Sequence, residues 1–126
     1  TKPDFLTIID APPGTSCPVI ASMNGADFVL LVTEPTPFGL FDLSMAVDMV
    51  RELEVPFSVV INRDREGFDG LDGYIREQDL PVLLRIPDSM EIAQLYSKGV
   101  HFVTAMPEWM DAFARLLADV TGGGSR

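Results

Sequence analysis

Cysteine is almost missing from this chain: Cys17 stands alone among 126 residues. A single thiol cannot close an internal disulfide, and such usage fits a reducing cytoplasm. His101 is the only histidine, and one Cys with one His cannot build a Cys/His zinc site. Lysine is scarce as well. Only Lys2 and Lys98 occur, neither in the G-x-x-x-x-G-K-S/T setting of a phosphate-binding loop. No apolar run approaches the roughly 20 residues needed to cross a bilayer. Residues 1–10 have neither a basic leader nor a small-residue cleavage site. Positive charge is short throughout, with 9 basic against 19 acidic residues and a net charge of −10. Such a surface repels phosphate backbones and anionic lipid. The one close basic pair, Arg63 and Arg65, is interleaved with Asp64 and Glu66. Neither nucleic acid nor membrane is therefore an expected partner.

What is present is a single domain's worth of chain, 47% hydrophobic, with a mean hydropathy of +0.21. That is enough for a real core. The chain starts at Thr1 without an initiator Met, almost inside an apolar run, and is expected to be a fragment or an excised domain. Four stretches read as short strands covered on both faces: Phe5–Asp10, Asp27–Thr33, Phe57–Asn62 and Pro81–Ile86. Between and after them lie helical patterns. In residues 39–54, Leu40, Leu43, Val47, Val50 and Leu53 recur at three- and four-residue spacing, after a Thr36-Pro37 start. Residues 68–78 read as a weaker helix, and residues 89–97 as a short one ended by Gly99. In residues 107–120, Met110, Phe113, Leu116, Leu117 and Val120 share one side, while "TGGGSR" reads as a flexible tail over 121–126. Strand–helix alternation predicts an α/β fold with a mostly parallel sheet and flanking helices. Ligands bind such sheets at the carboxyl ends of the strands. Here those ends read "DAPPGT", "TEPTPFG", "NRDREG" and "IPDS".

Taken in order, "IIDAPPGTSCPVIASMNGAD", "LLVTEPTPFGLFDLSMAVDMV", "VVINRDREG" and "IPDSMEIAQLYSKG" resemble the MinD/ParA-type P-loop ATPases. The likeness is greatest to the branch of that superfamily with an inserted ferredoxin-like segment, and runs from about Leu6 to Gly99. The related CbiA group, which includes cobyrinic acid a,c-diamide synthase, shares the fold. The resemblance implies a Rossmann-like P-loop NTPase half-domain over residues 1–120, binding ATP and Mg²⁺ in the intact parent. Asp10 matches the Walker B aspartate, associated with Mg²⁺ through water, a role that suits a cation retaining its hydration. Gly14 matches the switch II glycine, whose N–H can approach a γ-phosphate because no Cβ intervenes. Asn62 and Arg63 match the "NR" of the adenine loop, where an amide can donate and accept at once. Pro87 and Asp88 match the loop that closes over the base.

The family's Walker A loop and ferredoxin cysteines would lie upstream of the first apolar run, and neither is in this chain. The chain thus resembles the C-terminal half of an ATPase domain, not hydrolytically competent by itself. An iron–sulfur cluster is implied only upstream. Each assignment has a plainer counterpart. Asp10 can be a strand-to-turn stop, Asn62 can satisfy a turn, and Asp88 can be the N-cap of the following helix. Cys17 reads as a structural thiol near a helix start, because iron–sulfur clusters usually take four ligands. His101 reads as packing or surface, and Met106, Trp109 and Met110 as a helix packing face. The last helix carries Glu108, Asp111, Arg115 and Asp119, a net negative face unsuited to anionic lipid. A phospho-acceptor receiver or docking module is the alternative class. It requires an acidic pair before Asp10 and a Lys at the last strand end, and both are missing. For assembly, the expectation is a closed-up sheet with Phe5–Asp10 paired to Asp27–Thr33, and two chains associating at that edge.

Overall fold

The structure, a computed structural model, describes residues 6–14 and 16–122. Among these residues three strands form a parallel sheet in the order β1 (Val29–Thr33), β2 (Phe57–Asp64), β3 (Val82–Pro87). Among the described residues six helices accompany them: α1 (Cys17–Met23), α2 (Pro37–Leu53), α3 (Gly70–Gln78), α4 (Met90–Ser97), α5 (Phe102–Ala105) and α6 (Pro107–Val120). The α/β class and the parallel sheet agree with the sequence reading. The short helix α5 was not among the expected elements, and α1 was anticipated only as a helix start near Cys17.

Local chemistry explains the starts and stops. Thr36 caps α2, its hydroxyl accepting from the Gly39 N–H at 3.0 Å, and Pro37 takes the first helical position, whose N–H would lack a helical partner anyway. Val29, Leu31 and Thr33 are buried on the side of β1 that faces α2, together with Leu43, Val47 and Val50 of that helix. The central strand β2 buries Ser58, Val59, Val60 and Ile61 in succession. That is the signature of a strand covered on both faces. β1 departs from the expectation: Val32 points away from α2 and is 65% exposed, so this strand is covered on one face only. Leu71 and Ile75 of α3 and Val19 of α1 complete the same core.

Two further expectations need correction. Residues 6–10 form no strand, and Leu6, Ile8 and Ile9 are exposed. Apolar, β-branched residues do not make a strand without a partner whose N–H and C=O groups they can pair. The closed-up pairing of this run with residues 27–33 is therefore not formed, and β1 itself ends the sheet. In α6, Met110 and Leu117 are about half exposed and no residue is buried. The helix meets α5 and β3 only in part. Its aromatic contacts are edge-to-face, Phe102 against Trp109 at 5.8 Å and against Phe113 at 6.1 Å between ring centroids. The expected flexible tail falls largely outside the described residues.

Candidate functional site

Parallel pairing brings the carboxyl ends of β1, β2 and β3 to one rim, where residues 34–36, 62–65 and 87–89 lie side by side. The end of β2 is not regular. Ile61 pairs with Arg85 and Asp64 with Pro87, so β2 carries one extra residue over that interval. Within it, Arg63 has a φ of 52°. A non-glycine residue in the left-handed region is uncommon, and such bulges re-aim side chains. Here the result is that Arg63 reaches both neighbours. Its guanidinium lies 3.7 Å from a Glu34 carboxylate oxygen and 3.6 Å from Asp88 Oδ1. Arg65 donates to Asp88 Oδ2 at 3.2 Å. The Asp88 N–H donates to the Asp64 carbonyl at 2.9 Å, fixing the turn after β3 to the end of β2.

Beside this network Asp64 accepts from Arg85 at 3.3 Å, and Arg85 also donates to Asp72 of α3 at 2.7 Å. The hydrogen bond to Asp72 is the main reason that the Arg85 guanidinium is held above its ordinary pKa, against the opposing effect of burial. Glu34, Pro35, Thr36, Arg63 and Arg65 enclose a small open pocket of about 70 Å³. The rim is polar and its charges are largely paired.

Of the residues singled out in the sequence, the structure gathers Asn62, Arg63, Pro87 and Asp88. The alternative role of Asp88 as a helix cap is not the one it takes: Ser89 is the N-cap of α4, its hydroxyl accepting from the Ile92 N–H at 3.3 Å. Asn62 is half-buried, and among the described residues its side-chain amide has no hydrogen-bond partner. It is therefore not consumed by a turn. Asp10 and Gly14 are not joined to the rim. They lie on an exposed segment, and the strand-end setting that Asp10 required, in either of its readings, is not formed. Gly14 does have a φ of 98°, a conformation that suits glycine.

Sequence reasoning passed over Glu34 and Arg65 as site residues. Glu34 was legible as a charged residue at a strand end before a Pro, but its pairing with Arg63 depends on the bulge. Cys17 stands at a helix start as expected, the first residue of α1, but it is exposed and not part of the core. His101 is exposed, as a surface reading has it.

The residues do not by themselves form a metal centre. Among the described residues no group of three or more His, Cys, Asp or Glu side chains can hold a metal ion. An exposed, solitary Asp10 is one oxygen-ligand side chain, and Mg²⁺ on few carboxylates also needs substrate phosphates. Cys17 alone does not fit an iron–sulfur cluster. No helix among the described residues is long and apolar enough to cross a membrane.

No family model matches the chain. Comparison with curated proteins does find relatives. An uncharacterised protein of Methanocaldococcus jannaschii is 34% identical over 98 residues, 78% of this chain and 33% of that protein. An iron–sulfur cluster carrier protein of Pyrococcus horikoshii is 24% identical over 146 aligned positions, 98% of this chain and 49% of the relative. Another carrier protein of that name, from Rickettsia bellii, is 29% identical over 101 residues, 77% of this chain and 31% of the relative. The chain thus spans between 31% and 49% of the length of these relatives.

Proposed function

We propose that this chain is the adenine-side part of a cytoplasmic MinD/ParA-type P-loop ATPase, linked in its parent to iron–sulfur or metal-cluster biology. The observation that carries this reading is the convergence of "TEPTP", "NRDRE" and "IPDS" on one rim, with Arg63 between Glu34 and Asp88. The relatives named as iron–sulfur cluster carriers support the P-loop NTPase superfamily and the cluster-linked role. In this reading Asn62 meets the base with an amide that both donates and accepts, and Asp88 accepts from it. Pro87 closes over the base. Asp10 and Gly14 belong to the phosphate and Mg²⁺ side, and take up their places only beside a further strand at the open edge of β1. ATP and Mg²⁺ are the cofactors of that larger assembly, and a homodimer remains its proposed state.

Phosphoryl transfer rests on a phosphate cradle and a Lys that this chain does not contain. The isolated chain is therefore expected to bind adenine nucleotide weakly and not to turn it over. Calorimetric titration with ATP tests the first half: Asn62→Ala and Asp88→Ala should each weaken binding about tenfold, the scale of one hydrogen bond involving a charged group. Unchanged affinity in both variants refutes the site. Steady hydrolysis abolished by Asp10→Ala refutes the claim of inactivity.

A further inference from the structure

We infer that Glu34 is a positioning residue for Arg63, and that it keeps one oxygen of Asp88 free to accept a hydrogen bond from an amino-bearing base. The inference rests on the nucleotide reading above and adds to it a residue on a different strand end. Glu34 sits on a fixed mount. Its carbonyl accepts from the Thr36 N–H at 2.9 Å, and a Cβ at Gly39 would collide with that same carbonyl. The preceding Thr33 hydroxyl donates to the Gly39 carbonyl at 3.0 Å, and Pro35 is buried.

Arg63 is aimed at this mount by its left-handed backbone in the β2 bulge. Its two ion-pair distances, 3.7 Å to Glu34 and 3.6 Å to Asp88, are nearly equal, and both exceed a hydrogen bond. The guanidinium is thus held between two carboxylates and satisfies the lone pairs of neither. Asp88 Oδ2 is already taken by Arg65 at 3.2 Å. Oδ1, with Arg63 no nearer than 3.6 Å, is the oxygen that accepts no hydrogen bond among the described residues. With Glu34 neutralised, Arg63 has one carboxylate to pair with, and moves onto Oδ1. Both oxygens then accept from guanidinium groups, which leaves Asp88 a weaker acceptor toward the base.

An amino-bearing purine and its keto counterpart separate this role from a general effect on folding. The chain is titrated with ATP and with inosine triphosphate, as wild type, Glu34→Gln, Glu34→Asp and Asp88→Asn, with thermal melts to confirm folding. The wild type should prefer ATP. Glu34→Gln should shrink that preference about threefold, the scale of an exposed ion pair, with the inosine affinity unchanged. Glu34→Asp, which keeps the charge, should restore part of it and remains informative if Glu34→Gln does not fold. An unchanged preference in Glu34→Gln, while Asp88→Asn abolishes it, overturns the inference and leaves the nucleotide reading standing. An unchanged preference in Asp88→Asn overturns the premise about Asp88 and the inference with it. A wild type that binds neither nucleotide overturns both.

Discussion

α2 and α6 are the two longest helices, and both carry an apolar stripe, yet only α2 buries its own. Leu43, Val47 and Val50 disappear against β1 and α3, whereas α6 leaves Met110 and Leu117 about half exposed. The difference does not lie in the helices. α2 faces a sheet surface whose residues alternate toward it, Val29, Leu31 and Thr33, while α6 meets chiefly part of β3 and the four residues of α5. An amphipathic pattern is sufficient for a helix, but burial needs a surface of matching extent. The run Leu6–Asp10 repeats the lesson for a strand.

The largest effect that sharpens this contrast is in the core. Ile61→Ala removes a fully buried side chain and should cost about 3 kcal/mol, whereas Leu117→Ala in α6 should cost less than about 0.5 kcal/mol. Urea denaturation of the two variants checks the difference, and equal losses would mean that α6 is as firmly packed as α2. Next comes Gly39→Ala, whose Cβ has no room beneath the Glu34 carbonyl. A loss of about 1–3 kcal/mol is expected, together with altered amide shifts at Glu34 and Arg63.

Capping separates the two regions more finely. Thr36→Ala should lower global stability by about 1 kcal/mol, because α2 is part of the core. Ser89→Ala removes the same kind of cap from α4, which buries no residue, and should appear mainly as faster amide exchange within that helix. The smallest effect is pH-dependent. Burial, with the charge of Asp48 adding to it, raises the pKa of Tyr74. A folded-state pKa above the unfolded value contributes stability that is fully present below about pH 10 and lost as pH rises through the folded value. Asp48→Asn should reduce that alkaline loss, as read by urea melts and phenolate absorbance.

Much of the fold was legible. Three of the four expected strands and four helices occupy nearly the expected residues, because each carries its signal locally: β-branched runs, three- and four-residue apolar spacing, and the Thr36-Pro37 start. Their order predicted Asp10, Gly14, Asn62 and Asp88 on one rim, since strand ends of a parallel sheet share an edge; Asn62 and Asp88 lie there, with Arg63 and Pro87, whereas Asp10 and Gly14 do not. Glu34 was not legible as a partner of Arg63. Nothing in "TEPT" or "NRDR" announces a bulge or the left-handed residue inside it.

What the sequence by itself determined is therefore most of the elements, their direction and the residues at their carboxyl ends, because these follow from the backbone preferences and periodicity of short stretches. Whether an apolar run was buried was decided only by tertiary structure. Leu31 and Ile61 found facing surfaces, while Ile8, Val32 and Leu117 remained exposed. The ion-pair network was decided there too, because the reach of Arg63 depends on a register shift between two strands and on a neighbouring loop held in place by Gly39. Hydrophobicity is a property of a residue, but burial and charge pairing are properties of what stands opposite it.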